Sequence, residues 1–258
     1  MKVVTFNTRN DNPEDGINNV KFRMPYIKAK IEDEKPDIIG FQELKPQTCQ
    51  DFKQMLPDYY ILGFGRNADY TGENIPLAIR KDSFDIIEMG GCWLSETPDV
   101  PGSKYEGQSS CPRTIMWAKL LDLKTNKIFR VYNTHLDHPE IKNFVPRRLE
   151  LHQILGMIDA DRQKDGLPFL FMGDFNTFPR NWETEELDAR EDFTDFTEDI
   201  KVTYHNWGDP NRQEKIDYIY GSPEWELKSV VTWEDHYGEV WLSDHYPVSV
   251  ETELRTEA

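Results

Sequence analysis

Apolar and polar positions along this chain fall into short blocks of two kinds. Residues 2–6, 37–41, 59–64, 76–80 and 84–89 are brief apolar runs, rich in β-branched and aromatic side chains, and predict strands. Residues 114–122 and 128–134 flank Lys124-Thr125-Asn126 and predict a hairpin. Residues 169–172 are wholly apolar, as in a strand buried on both faces. Residues 216–220, 227–233 and 246–254 complete the strand set. Between them, Val20, Met24, Ile27 and Ile31 recur at helical spacing and stop before Lys35-Pro36. Residues 46–55 predict a short helix, and Leu151, Ile154, Leu155 and Ile158 a helix after Pro146. Residues 94–112, with Pro98, Pro101, Gly102 and Gly107, predict a loop long enough to suggest a functional one. Each half of the chain mixes several strands with one or two helices. Two sheets packed face to face with helices outside accommodate this order, whereas a (β/α)8 barrel requires strict alternation. No fixed-period repeat or low-complexity linker interrupts it, so one domain over residues 1–258 is expected.

Composition supports a globular reading. Hydrophobic residues make up 38% and aromatics 12% of 258 residues, enough for a large core despite a mean hydropathy of -0.71. The 30 basic and 47 acidic residues leave a net charge of -17. No basic stripe is visible, and residues 183–199 carry nine acidic residues against one arginine. A small or weakly charged substrate is therefore favoured over a long duplex nucleic acid. Cys49, Cys92 and Cys111 form no CxxC pair, which fits a reducing compartment better than a disulfide framework. No apolar leader region precedes MKVVTF, and no stretch is long enough to span a membrane. A cytoplasmic location is expected, a removed leader aside, and no obligate protein partner is inferred.

Chemistry-bearing residues gather where the predicted strands end. Asn7, Gln42-Glu43, Asn133-Thr134-His135, Asp174 with Asn176, Asp217, and Ser243-Asp244-His245 occupy such positions. A single Asp after a strand more often serves a turn or cap, but six such endings point to one site. The segments TFNTR (5–9), GFQE (40–43), NTHLDH (133–138), GDFN (173–176), IDYI (216–219) and SDHYPV (243–248) resemble the endonuclease/exonuclease/phosphatase superfamily, in its order and across nearly the whole chain. Deoxyribonuclease I, exonuclease III, sphingomyelinases and inositol-polyphosphate phosphatases share its fold. The resemblance implies an α/β (α+β) fold, a four-layer αββα sandwich of two mixed β-sheets flanked by helices.

The resemblance also implies roles. Glu43 and Asp244 resemble metal-binding carboxylates, suited to Mg²⁺ and also to Mn²⁺, with Asn7 supporting that site. Asp174 resembles the carboxylate that deprotonates the attacking water, and Asn176 a donor to the phosphoryl oxygen. His135 and His245 would flank the phosphate, with Asp217 as the partner of His245 and Glu73 as the partner of His135. Arg113 resembles a recurring arginine of small bacterial members, which would hold a phosphate or pair with an acidic neighbour. The apurinic-site nucleases carry an acidic residue where this chain has Arg9 and a tyrosine where it has His135, which argues against DNA repair. Trp93, Tyr105 and Trp241 are candidates either for a substrate cleft or for core packing. His138, His152, His205 and His236 lack motif support. The implied activity is a metal-dependent phosphodiesterase. The alternatives are a phosphomonoesterase acting on a sugar or inositol phosphate, and a non-catalytic binding module.

Overall fold

The computed structural model describes residues 1–138 and 143–255. In chain order its strands begin with β1 (Lys2–Asn7), β2 (Ile38–Gln42), β3 (Tyr59–Leu62), β4 (Leu77–Arg80), β5 (Phe84–Trp93), β6 (Thr114–Asp122) and β7 (Ile128–His135). They continue with β8 (Phe169–Asp174), β9 (Thr194–Asp195), β10 (Asp217–Gly221), β11 (Trp225–Thr232), β12 (His236–Tyr237), β13 (Val240–Trp241) and β14 (Val248–Leu254). The helices are α1 (Val20–Glu34), α2 (Pro46–Met55), α3 (Val145–Asp165) and α4 (Trp182–Asp188). One six-stranded sheet runs β11-β14-β1-β2-β4-β3 and the other β5-β6-β7-β8-β10-β9, while β12 and β13 form a small hairpin. Among the described residues, no helix is long and apolar enough to cross a membrane.

The sandwich follows from strand periodicity. In β1, Val3 packs between the sheets and Val4 packs under the outer helices. In β8, Leu170 and Met172 enter the space between the sheets, and Phe169 and Phe171 face the other way. Both faces of β8 are thus buried, which is why its sequence shows no polar alternation. Ile27 and Ile31 of α1 and Phe52 of α2 cover the outer face of the first sheet. Leu151, Ile154, Leu155 and Ile158 of α3, with Leu187 of α4, cover the second. The order is the expected four layers, αββα.

Some boundaries differ from the pattern. Strand β5 continues past residue 89 to Trp93, because β6 pairs with it along its whole length around a bulge near Ile86. Helix α4 and the two-residue strands β9, β12 and β13 were not predicted, being too short to show a period. Cys49, Cys92 and Cys111 are free thiols.

The topology brings six strand ends to one edge. Parallel β1 and β2 finish together, with Asn7 opposite Gln42, and parallel β7 and β8 finish with His135 opposite Asp174. The antiparallel neighbours β10 and β14 start at that edge, with Asp217 opposite Asp174 and Val248 opposite Thr5. A buried amide ties the sheets together just behind it. Asn133 Nδ2 donates to the Phe41 and Ile75 carbonyls at 2.9 and 3.0 Å, and its Oδ1 accepts from Gln42 Nε2 at 2.8 Å.

Gly173 sets the approach of β7 to β8. Its φ is +152°, and a Cβ there would lie 2.1 Å from the Thr134 carbonyl oxygen. Gly173→Ala is expected to lower stability by about 1–3 kcal/mol, as overpacking does in a rigid interior, read as a fall in the urea midpoint. An unchanged midpoint would show that the strands have room to part.

Candidate active site

A cavity of about 570 Å³ opens at this edge. All the predicted site residues line it except Asn7 and Asp217, which stand behind Glu43, Asp174 and His245. Asn7 Nδ2, at the end of β1, donates to Glu43 Oε1 at 3.0 Å and to Asp174 Oδ2 at 2.9 Å. One carboxamide thereby joins carboxylates from the two sheets. Its Oδ1 accepts from the Arg9 amide at 2.9 Å. Glu43 follows β2 in the left-handed region, at φ +65°, a strained setting for a non-glycine residue and one typical of functional sites. The Asn10 amide holds its other oxygen at 2.9 Å.

Asp174 ends β8 and also accepts the Asn176 amide at 2.9 Å. Burial and the adjacent Asp217 push its carboxyl up to about 7, against the pull of His245. Asn176 sits at φ +50°, a conformation asparagine tolerates, with its Nδ2 on the Leu136 carbonyl at 2.9 Å. Arg147 of α3 fixes this turn by donating to the Asn176 carbonyl and to Glu183 Oε1 at 2.9 Å.

The two site histidines have opposite electrostatic surroundings. His245 Nδ1 donates to Asp217 Oδ2 at 2.8 Å. Burial alone would lower its pKa, but the charge and bond of Asp217, with Asp244 and Asp174 nearby, raise it to about 10. His245 is therefore an imidazolium at neutral pH. His135 Nε2 lies 3.5 Å from Asp174 Oδ2, and its Nδ1 is buried without a hydrogen-bond partner among the described residues. Burial, then Arg113 and Arg66, hold it well below the ordinary histidine value, so it is a neutral ring.

The expected pairing of Glu73 with His135 is not found. Glu73 instead bonds Arg66 at 2.8 Å and Asn10 Nδ2 at 2.9 Å. Its place in the cavity wall is right, but Arg66, distant in sequence from any motif, takes its charge. Trp93, Tyr105 and Trp241 do not line the cavity. Trp93 packs 4.8 Å from Phe64, Trp241 packs 4.7 Å from His205, and the Tyr105 hydroxyl bonds Gln153. Phe144, Phe178 and Tyr204 supply the aromatic lining instead, and His138 reaches it as well. His152 faces Glu186 at 3.2 Å, and Arg148 lies over Trp182.

Sequence reasoning missed four lining arginines, Arg9, Arg66, Arg147 and Arg212. It also missed Arg23, wholly buried on α1, which donates to the carbonyls of Thr8 and Leu242 at 2.7 Å and of Arg9 at 3.0 Å. Arg23 thus orders the loops beside Asn7 and Asp244. The available signal was a charge at the helical spacing of the apolar stripe, three positions after Val20 and four before Ile27.

A hard cation fits the carboxylate side of the cavity. Glu43 and Asp244 offer oxygen donors only, Glu43 half-buried and Asp244 buried. Burial, reinforced by Glu43, raises Asp244, whose Oδ2 has Arg9 Nε no nearer than 3.8 Å. Asp174, Asp217 and His245 also bring ligand atoms within 4.8 Å of one another. The Asp217–His245 bond already occupies two of these atoms, so Glu43 and Asp244 are the better donor pair.

Beneath the cavity, α3 carries Glu150, fully buried, which accepts the Asp137 amide at 2.8 Å. Burial raises it from 4.5 to about 8, with Asp137 adding to this and Arg113 and Arg147 opposing it. Between those values the folded chain keeps a proton that the unfolded chain releases, so stability falls as pH rises through that window. Glu150→Gln should gain in stability relative to the native protein from pH 4.5 to 8. Urea midpoints measured across the window test this, and a constant difference would refute it.

Comparisons with known proteins bear on the family and the fold. Residues 4–245 match the Endonuclease/Exonuclease/phosphatase family model. The chain is similar to an endonuclease/exonuclease/phosphatase of Bacteroides vulgatus, with 32% identity, a TM-score of 0.90 and 98% of each chain covered. It is similar to the mannosyl-6-phosphatase Bt3783 of Bacteroides thetaiotaomicron, with 29% identity and a TM-score of 0.87 over 98% of this chain and all of that one. A curated protein of Acanthamoeba polyphaga mimivirus is 26% identical over 117 residues, and the match spans 17% of its length and 41% of this chain.

Proposed function

The chain belongs to the endonuclease/exonuclease/phosphatase family, and we propose that it is a divalent-metal-dependent phosphoester hydrolase in which an activated water attacks phosphorus in line. The observation that carries this reading is the Asn7 bridge, which holds Glu43 and Asp174 together over one cavity. Asp174 orients the water and accepts its proton, and a carboxyl near 7 suits a base working at neutral pH. The water oxygen bonds to phosphorus as the ester oxygen departs on the opposite side. Asn176 and the neutral His135 donate to the non-bridging oxygens. The His245 imidazolium, held charged by Asp217, stabilises the negative charge of the transition state. Glu43 and Asp244 would hold Mg²⁺ or Mn²⁺, with Asn7 as support. The bound cation would neutralise phosphate charge.

A small substrate is favoured. The cavity is of small-molecule size, and a net charge of -17 disfavours a long polyanion. Cleavage of a small phosphodiester is one reading. The likeness to a mannosyl-6-phosphatase favours the other, a phosphomonoesterase acting on a sugar phosphate.

Hydrolysis of bis-aryl against mono-aryl phosphate with Mg²⁺ separates the two. Asp174→Ala and Asp217→Asn should each lower kcat by about 10²- to 10⁴-fold, the usual contribution of such groups, with circular dichroism unchanged. Chelation should abolish turnover. Retention of configuration at phosphorus would overturn in-line attack. A folded protein that cleaves no phosphoester yet captures a partner would favour a binding module.

A further inference from the structure

We propose that the Arg9–Asp15 ion pair sets how tightly the carboxylate side of the cavity holds its divalent cation. Arg9 competes with the cation for Asp244, and Asp15 restrains Arg9. The inference rests on the reading of Glu43 and Asp244 as the cation's ligands and adds a control of that site.

Distances at Asp244 provide the main observation. Asp244 lines the cavity, and its Oδ1 accepts a hydrogen bond from Ser243 Oγ at 3.2 Å. Its Oδ2 has no hydrogen-bond donor among the described residues and is the oxygen left for a cation. Arg9 Nε stands 3.8 Å from that same oxygen. Among the described residues, no other basic side chain comes within 4.0 Å of a carboxylate oxygen of Asp244 or Glu43. Arg23 lies nearby, but it donates to the carbonyls of Asn18, Thr8, Leu242 and Arg9 instead.

The chain holds Arg9 in this place from several directions. Its φ of +53° is a strained setting for a non-glycine residue. Its amide donates to Asn7 Oδ1 at 2.9 Å, and its carbonyl accepts from Arg23 Nη2 at 3.0 Å. Asp15, in the 3₁₀ helix Pro13–Asn18, accepts from Arg9 Nε at 3.1 Å and from Nη2 at 3.3 Å. Nε therefore faces two carboxylates, bonded to Asp15 and just beyond bonding distance of Asp244. The Asp15 carboxylate is 6% exposed and stands outside the cavity lining, whereas the Arg9 side chain is 29% exposed and belongs to it. A guanidinium keeps its charge at any working pH. A cation on Asp244 Oδ2 would sit about 2 Å from that oxygen, so Arg9 Nε would lie at most about 6 Å from it. At that range a unit positive charge weakens the binding of a divalent ion by about three- to tenfold in screened water.

Metal binding rather than turnover tests this. Mn²⁺ alone is titrated into dialysed protein and followed by electron paramagnetic resonance. Glu43→Gln locates the ion and should lose most of the native affinity. Arg9→Gln should tighten binding by about three- to tenfold. Asp15→Asn, which releases Arg9 toward Asp244, should weaken it by about twofold or more. The opposite signs separate control by charge from a structural staple, since losing a staple would loosen the site in both variants. Arg9→Gln protein that binds Mn²⁺ no more tightly than native protein would overturn the inference and leave the cation reading standing. Asp15→Asn protein that binds at least as tightly as native would remove Asp15 from it. Glu43→Gln protein that binds like native would place the ion elsewhere and overturn both readings.

Discussion

Three carboxylates of this site, Glu43, Asp174 and Asp244, are brought to one place in the cavity wall, Asp174 and Asp244 buried and Glu43 half-buried. Like charges in a low-dielectric setting repel strongly and lack solvation, so the edge of the sandwich is stable only where something offsets them. The structure supplies the offset in three forms. The Asn7 carboxamide and backbone amides hydrogen-bond the oxygens. Arg9 and the imidazolium of His245 provide positive charge. The remaining negative charge of Glu43 and Asp244 suits a hard cation.

This constraint orders the rest of the architecture. Asn7 can reach both Glu43 and Asp174 only if the two sheets meet at a fixed separation. The inter-sheet bonds of Asn133 set that separation one layer behind the site. The close passage of Gly173 beside β7 sets the height of Asp174 against His135. Arg23 then closes the loops over the carboxylate side from below. Stability and chemistry therefore draw on the same contacts.

The cavity sets charges of both signs against one another. Five arginines and five carboxylates, Glu43, Glu73, Asp174, Glu214 and Asp244, line it in a chain whose net charge is -17. The acidic exterior repels an extended polyanion more than a small anion. Burial, helped by Arg113 and Arg66, keeps His135 neutral, while Asp217 keeps His245 charged. One ring is left to donate a hydrogen bond and the other to carry charge.

Strand and helix identity was legible in the sequence because it depends on neighbours a few residues away. The apolar period of Val20 to Ile31 and the unbroken run at 169–172 each specify their element and its buried faces. The motif residues were legible too, since each sits at a strand end, and Asp217 beside His245 followed from them. Helix α4 and the shortest strands left no period to read. The Glu73 partner and the gathering of Arg9, Arg66, Arg147 and Arg212 could not be read at all. Arg66 reaches Glu73 through the fold of the one loop between β3 and β4, which leaves no periodic pattern. The four arginines lie far apart in sequence, and their gathering depends on sheet register and inter-sheet distance, which exist only once the two sheets have packed.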